Sequence, residues 1–248
     1  MASLQQNIRK DPESAENHSI FIREGGLVVK NLTTEEEEIR AYRLRHRIFA
    51  QELRWVPQSE NALEKDDYDD YATPFGVFDC DGKMLAYIRL VSSGYQLMIE
   101  KEFKSLISPE HIIQGENAVE LSRLCLEPEV RQGMISGNFG AHRISMFLYK
   151  GVYHWCIKNS VQIVYAVSEH KVWRLFRAAG FPSKLIGEPQ VMPDGVKACA
   201  FIMDWREFEA LNAEKRPDML RWFIQHKSTL AERQQRQPGA YLQHQVFV

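Results

Sequence analysis

The stretch AVELSRLCL, residues Ala118–Leu126, decides the fold prediction because it sets two charged side chains inside an apolar run. A run of this kind predicts a β-strand, and a second such strand at residues 84–91 carries Arg89. A charge on a buried strand is costly unless it is paired or faces a cavity. Glu120, Arg123 and Arg89 therefore predict either a charged functional site or an ion-pair network that only fixes a loop.

The hydrophobic pattern on either side of this stretch predicts the order strand, helix, three strands, helix, strand, helix and strand. Strands followed by alternating helices and strands indicate an α/β protein with a mixed central β-sheet flanked by helices. The strands are predicted at residues 27–29, 75–78, 84–91, 118–126, 161–167 and 197–205. The helices are predicted after a cap at Thr33 or Thr34 and at residues 103–107, 139–158 and 171–179.

Three segments are predicted along the chain. Residues 1–20 are a polar leader that we expect to be mobile, and residues 21–205 form the core. Residues 206–248 are expected to form a C-terminal helical extension and tail, with a break at Pro217, because proline removes a helical hydrogen bond.

The composition excludes several classes of protein. With 44% apolar and 26% charged residues among 248, the chain can bury a core, and it contains no apolar run long enough to span a membrane. A formal net charge of −2 gives no support to nucleic-acid binding. The four cysteines form no C-x-x-C pair, and no apolar secretory signal is evident near the start, so we expect a reducing, cytoplasmic location.

Common catalytic motifs are missing from the sequence. It contains neither the G-x-S-x-G of serine hydrolases nor the phosphate-binding loop of NTPases. The scattered histidines have no metal-ligand spacing, so we expect no metal and no tightly bound cofactor. The glycines at 133, 137 and 140 predict either a phosphate-binding loop or a flexible loop before a helix.

The charged residues also carry a resemblance. The segment YRLRHRIF at residues 42–49, then Trp55, then Asp66-Asp67-Tyr68-Asp69 resembles the opening of the acyl-homoserine-lactone (autoinducer) synthases. That family has an arginine, a phenylalanine four residues later, a tryptophan six further on and then an aspartate pair. Arg89 matches its next arginine, and Glu120-Leu121-Ser122-Arg123 matches its Glu-(Leu/Val)-Ser-Arg signature. The resemblance covers roughly residues 27–204.

This resemblance implies the GNAT acyltransferase fold and a reaction. The amine of S-adenosylmethionine, used as a substrate, attacks a thioester carried by acyl carrier protein, and the amide closes to a lactone with loss of methylthioadenosine. Two other functions stay open. An N-acyl amino acid synthase of the same fold would use a different small-molecule amine, and a non-catalytic relative would only bind carrier protein or lipid.

The resemblance also implies roles for single residues. Glu120 is expected to be the base, acting through a water, although it could instead only pair with an arginine. Arg45, Arg89 and Arg123 complete the catalytic set by holding the carboxylates in place. Among substrate-binding residues, Asp66 and Asp69 would attract the cationic amine, Trp55 would cover it, and Phe49 would be either a substrate contact or simple core.

The acyl chain is expected to lie in an apolar tunnel between sheet and helix, for which Val164, Ala166, Met146 and Leu148 are candidates, although each could instead be simple core. Ala166 falls where some synthases of 3-oxo chains carry a threonine, so a preference for unsubstituted chains is expected, with Ser168 as a possible alternative hydroxyl donor.

We expect the oxyanion to be held by backbone N–H groups near residues 124–126. Because carrier protein is acidic, docking on a basic surface is expected, or else that surface is only a solvated helix face. Its residues would be Arg174, Arg177, Lys150 and Arg143.

Overall fold

A computed structural model describes residues 19–111, 117–137 and 139–225. In this part of the chain, eleven strands and six α-helices are present. The strands are β1 (Phe21–Glu24), β2 (Leu27–Asn31), β3 (Thr73–Phe78), β4 (Met84–Ser92), β5 (Ala118–Leu126), β6 (Met134–Gly137), β7 (Gly140–Arg143), β8 (Ile163–Glu169), β9 (Ser183–Leu185), β10 (Gln190–Val191) and β11 (Lys197–Asp204). The helices are α1 (Glu35–Arg45), α2 (Met98–Lys101), α3 (Ile144–Lys158), α4 (His170–Ala178), α5 (Trp205–Lys215) and α6 (Pro217–Ile224).

One mixed sheet organises the described part of the chain, in the order β1-β2-β3-β4-β5-β8-β11-β10, with β9 paired to β11. The pairing of β5 with β8 is parallel, whereas the other pairings along this order are antiparallel. The small hairpin of β6 and β7 lies outside this sheet. The predicted α/β class, with a mixed central sheet, is therefore confirmed.

Two apolar clusters cover opposite faces of the sheet. Because side chains alternate along a strand, neighbours on β5 and β8 point to opposite faces. Val119 and Val164 belong to the large core that contains the buried side of α3. Tyr165 lies on the other face, in a cluster with Leu97 and Ile99 from the α2 region. This second face also carries the charged side chains.

The local signals in the sequence identified several element boundaries. Thr34 caps α1 by accepting a hydrogen bond from the Glu37 amide at 3.3 Å. Gly82 has a φ of +75° in the tight turn between β3 and β4, and Gly180 has a φ of +106° after α4, as expected where only glycine is unstrained. These two glycines mark the tight turn at residues 81–82 and the end of α4.

Two helix predictions were wrong. The helix predicted at residues 139–158 begins only at Ile144, because the residues before it form β7, which pairs with β6. The helix predicted at residues 103–107 is only a 3₁₀ turn, Lys104–Leu106, and the α-helical turn α2 precedes it. At the start of the first segment, β6 supplies a pairing partner for β7, and a local sequence pattern does not reveal such a partner.

The helices after the predicted boundary at residue 206 pack into the same core as the sheet. Phe208 of α5 and Trp222 and Phe223 of α6 are buried in the large cluster. Tyr153 of α3 contacts Phe208 and Phe223 ring to ring. The extension up to residue 225 is thus integrated with the core, while the predicted leader up to residue 18 and tail from residue 226 lie outside the described residues. Among the described helices, none is long and apolar enough to cross a membrane.

Candidate active site

A β-bulge at Arg123 brings the charged side chains of β4 and β5 together. Arg89 pairs with Ser122 and Tyr87 pairs with Cys125, so two residues of β5 stand opposite one residue of β4. Arg123 has a φ of +55°, which is unusual for a non-glycine residue. The extra residue turns Arg123 to the face occupied by Arg89, where both arginines bind the carboxylate of Asp66.

Three arginines and three carboxylates form one network on this face. Arg45 binds Glu64 and, at 2.6 Å, Asp69 Oδ1. The network continues through a second arginine, because Arg89 Nη1 donates to Asp69 Oδ1 at 2.7 Å and Nη2 to Asp66 Oδ2 at 2.9 Å. The equal numbers of guanidinium and carboxylate groups explain how the sheet tolerates so much buried charge.

Arg123 completes the network. Its Nε donates to Glu64 Oε1 at 3.1 Å and its Nη2 to Asp66 Oδ2 at 2.7 Å. Arg89 Nε also donates to Ser122 Oγ at 2.9 Å, which links the β4 arginine to the strand that carries Arg123. The structure thus brings Arg45, Arg89 and Arg123 together, and each of them binds carboxylates of the acidic loop.

The two aspartates of the network differ in accessibility. The side chain of Asp69 is 3% exposed and that of Asp66 is 23% exposed. Burial alone would raise the pKa of Asp69, but the hydrogen bond from Arg45 and the charges of Arg45 and Arg89 hold it below its usual value. Asp69 also accepts from the Asp66 amide at 2.9 Å. Asp69 is thus a structural centre of the loop, and Asp66 presents the more accessible carboxylate.

Glu120 lies on the same face but forms no ion pair with any described residue. It is 1% exposed, and its two carboxylate oxygens accept from the Ile99 amide at 3.1 and 3.3 Å. Burial raises the pKa of Glu120 to about 7, against hydrogen bonds from the backbone of residues 98 and 99 and the charge of Arg89, which lower it. The alternative that Glu120 only pairs with an arginine is not what the structure shows, and Glu120 is poised to exchange a proton near neutral pH.

Two aromatic side chains, Phe49 and Trp55, border the network of arginines and carboxylates. Phe49 lies in a π-helix, His46–Glu52, that directly continues α1, and its ring stacks with Trp55 at a centroid distance of 6.2 Å. Arg123 Cζ lies 5.6 Å from the Phe49 ring. Phe49 is 6% exposed and Trp55 is 44% exposed. Phe49 is therefore mostly core with one contact to the charged site, and Trp55 offers an open ring face beside it.

The residues predicted for the acyl chain lie on the opposite face of the sheet from Glu120. Glu120 is in register with Tyr165 and Leu121 with Ala166, and strand pairing ends at the second of these pairs. Ala166 is 6% exposed in a cluster with Trp173, Cys199 and Phe201. Beyond Leu121 and Ala166 the two parallel strands are no longer paired.

The other side chains predicted for the acyl chain are dispersed. Ser168 Oγ donates to its neighbour's carbonyl, that of Glu169, at 3.1 Å, so its hydroxyl hydrogen is already used. Val164 and Leu148 are fully packed in the large core, with Met146 partly buried against it.

The predicted docking residues do not form one surface. Arg174 and Arg177 are exposed on α4, which also carries the exposed apolar residues Val172 and Leu175. Lys150 was wrongly predicted as a docking residue. It is 2% exposed, binds Glu24 Oε2 at 3.0 Å and lies over the Trp222 ring, so its ammonium group joins α3 to β1 and α6 and is unavailable to a partner.

Some members of the site were not singled out from the sequence. Glu64 is 7% exposed and binds both Arg45 and Arg123, yet in the sequence it was only one acid among several in a polar loop. The contact between Ile99 and Glu120 was also unforeseen, because a backbone amide leaves no signal in the side-chain pattern. Within the described ranges, no group of three or more His, Cys, Asp or Glu side chains could hold a metal ion.

Comparison with known proteins assigns the family. A family model described as autoinducer synthase matches residues 30–211. The acyl-homoserine-lactone synthase of Aeromonas hydrophila is 27% identical over 160 residues, which are 64% of this chain and 76% of that protein. The acyl-homoserine-lactone synthase of Rhizobium radiobacter is 22% identical over 170 residues, 68% of this chain and 79% of that protein.

A solved structure supports the fold. BjaI, a CoA-dependent acyl-homoserine lactone synthase crystallised with SAM and isopentyl-CoA, superposes with a TM-score of 0.62 at 20% identity, over 76% of this chain and 92% of its own. The GNAT-like architecture implied by the resemblance is thereby confirmed. Because the family model also spans most of the described core, the chain belongs to the autoinducer synthase family, which consists of acyltransferases of the acyl-homoserine-lactone synthase type.

Proposed function

We propose that this enzyme transfers an acyl group from a thioester to the amine of S-adenosylmethionine and then closes the product to an N-acyl homoserine lactone, a quorum-sensing signal. The observation that carries the proposal is Glu120, a buried carboxyl with a pKa of about 7 beside the arginine network. An ammonium substrate must lose a proton before its nitrogen can attack a carbonyl, and a carboxyl that titrates near neutral pH can take that proton.

The acyl transfer step uses the two faces of the sheet. Glu120, through a water, accepts a proton from the ammonium group, and the nitrogen lone pair attacks the thioester carbonyl carbon. The amide bond forms as the carbon–sulfur bond breaks, and the thiolate leaves with a proton. We place the carbonyl beyond Leu121 and Ala166, because β5 and β8 are no longer paired there and an acyl chain on the α4 face could meet an amine on the Glu120 face.

The bulge supports a further part of this proposal. Residues 124–126 follow Arg123 beyond the last pairing with β8 but stay paired with β4, so the backbone N–H groups there that point away from β4 are candidates to donate hydrogen bonds to the oxyanion. Lactone closure then needs no additional base. The carboxylate of the S-adenosylmethionine moiety displaces methylthioadenosine from the carbon next to the sulfonium, forming the ring oxygen–carbon bond as the carbon–sulfur bond breaks.

The cationic substrate would be recognised by accessible negative and aromatic groups. Asp66 offers the more exposed carboxylate of the network, and the ring faces of Phe49 and Trp55 can attract a sulfonium. The network as a whole is balanced in charge, so we assign recognition to these particular groups and not to a general negative field.

We propose acyl carrier protein as the donor. On α4, the cations Arg174 and Arg177 and the apolar residues Val172 and Leu175 are all exposed, a combination that suits an acidic helical partner. Coenzyme A is the competing donor, because BjaI is CoA-dependent.

The four cysteines are thiols without disulfides, which supports the proposed cytoplasmic location.

One experiment separates these alternatives. Purified protein is supplied with S-adenosylmethionine and matched acyl donors, either on carrier protein or on coenzyme A, and products are identified by mass spectrometry. The proposal expects an acyl-homoserine lactone with carrier protein as the better donor. An N-acyl amino acid formed from a free amino acid would favour the second function, and absence of thioester cleavage would favour a binding module. Arg174→Glu should raise the KM for acyl carrier protein without changing that for acyl-CoA.

A further inference from the structure

The π-helix that carries Phe49 is attached to the end of β5 by two ion pairs. Arg47 Nη2 binds the carboxylate of Glu127, and Arg131 donates to both oxygens of Glu52, at 2.7 and 2.5 Å. We call these four residues the clamp. Arg47 and Glu52 belong to the π-helix, whereas Glu127 and Arg131 closely follow β5.

The wide helical turn explains why both pairs form on one side. Leu53 N donates to Ile48 O at 2.9 Å, a bond between residues five apart. Arg47 and Glu52 are also five residues apart, so they project toward the same neighbouring segment. Phe49 lies between them in sequence, and the clamp therefore holds the π-helix on both sides of this ring.

The other half of the clamp is fixed to the strand that carries the catalytic residues. Glu127 is 6% exposed, and its amide donates to Leu85 O of β4 at 2.9 Å. The Glu52 and Arg131 side chains are each 40% exposed, and their two parallel hydrogen bonds fix the orientation of the pair. The hydrogen bond from Arg131 lowers the pKa of Glu52, as expected for a preformed ion pair.

We propose that the clamp residues are positioning residues for the amine substrate, an inference that rests on the proposed function. They hold the aromatic pair Phe49 and Trp55 at a fixed distance from Arg123 on β5. A cationic substrate then meets two aromatic rings that are already ordered. The pair of Glu52 with Arg131 is exposed, and exposed ion pairs contribute little to global stability, so the expected effect of breaking this pair is on substrate binding and not on folding.

Reversing one charge tests this role. Glu52→Arg places two guanidinium groups together, and we expect the KM for S-adenosylmethionine to rise by about fivefold or more because like charges in contact repel. The KM for the acyl donor and the melting temperature should change little. The double variant Glu52→Arg with Arg131→Glu restores an ion pair of opposite polarity and should recover the KM. The matched control is Glu207→Arg, which breaks the exposed pair with Lys184 of 2.6 Å and should leave every parameter unchanged.

The result that overturns the inference is a Glu52→Arg enzyme with the wild-type KM for S-adenosylmethionine, or a double variant as impaired as the single one. Hydrogen exchange of residues 46–56 gives a readout that does not depend on the substrate. Exchange should accelerate in Glu52→Arg and return in the double variant, and unchanged exchange would also overturn it. A wild-type protein that makes no lactone would instead contradict the proposed function.

Discussion

The Glu120 carboxylate is bound by the backbone amide of Ile99 in the first turn of α2. Both of its oxygens accept from that amide, at 3.1 and 3.3 Å. The contact orients the carboxyl, while burial keeps the pKa near 7. Glu120 thus accepts a hydrogen bond from the Ile99 amide and also has a pKa suited to proton transfer. A substitution can remove the second property and keep the first.

Glu120→Gln should lower turnover by about 100-fold or more, the usual scale for losing general-base help, while the protein stays folded. Glutamine keeps an amide oxygen that can accept from the Ile99 amide, so this hydrogen bond survives and only the proton acceptor is lost. Steady-state kinetics and circular dichroism measure the two effects.

Glu100→Gln is the matched control for that substitution. Glu100 Oε2 accepts from the Leu97 amide at 3.3 Å, so it also binds the backbone at the start of α2, but it is exposed. Its substitution should leave turnover unchanged. A folded Glu120→Gln enzyme with wild-type turnover would show that the base lies elsewhere.

Turnover should depend on pH through Glu120. Because the carboxylate is the active form, kcat/KM should rise with pH through about 7 and then level off, and this dependence should be missing from the residual activity of Glu120→Gln. A profile that is flat between about pH 5.5 and 8 would contradict a base with this pKa.

Stability should change with pH in the opposite direction. The folded-state pKa of Glu120 is raised above the ordinary 4.5, so the folded state binds the proton more tightly than the unfolded state. The stability linked to this proton is fully present below about 4.5 and is lost as pH rises to about 7. Urea unfolding at several pH values should show this loss in the wild type relative to Glu120→Gln, and parallel curves for the two proteins would refute it.

Asp69 and Asp66 should respond differently to substitution. Asp69→Asn removes the buried partner of Arg45 and Arg89 and should lower the free energy of unfolding by about 3–5 kcal/mol. Asp66→Asn affects the more accessible carboxylate, so it should mainly raise the KM for S-adenosylmethionine and leave the acyl donor's KM unchanged. Equal stability of Asp69→Asn and wild type, or an unchanged KM in Asp66→Asn, would contradict these assignments.

The acyl pocket should prefer chains without a 3-oxo group. Ala166 has no hydroxyl, and Ser168 already donates to the Glu169 carbonyl, so a 3-oxo oxygen in the apolar cluster would lack a donor, at a cost of about 1–3 kcal/mol. Ala166→Thr should shift the rate ratio of matched substrates toward the 3-oxo form, while Ser168→Ala should not change it. A 3-oxo preference that disappears in Ser168→Ala would contradict this account.

The sequence predicted the parts of the site that depend on local pattern. Glu120, Arg123 and Arg89 were recognisable because charge on an apolar strand demands a partner or a cavity, and the structure pairs both arginines with the acidic loop. Their order along the chain also identified the family.

The remainder depends on tertiary packing. Glu64 became a member of the network only because a loop folds back onto Arg45 and Arg123. The bulge at Arg123 arises from pairing with β4, and the mistaken docking role of Lys150 arose because Glu24 and Trp222 approach it from distant segments. None of these contacts is encoded in a short window of sequence.

The most direct test of the central claim is the stoichiometry of the purified enzyme with S-adenosylmethionine and an acyl donor. Mass spectrometry should find one methylthioadenosine for each acyl-homoserine lactone, and both should fall together in Glu120→Gln. Release of the donor thiol with S-adenosylmethionine left intact would contradict the account, because the amine attacking the thioester would then have come from another molecule.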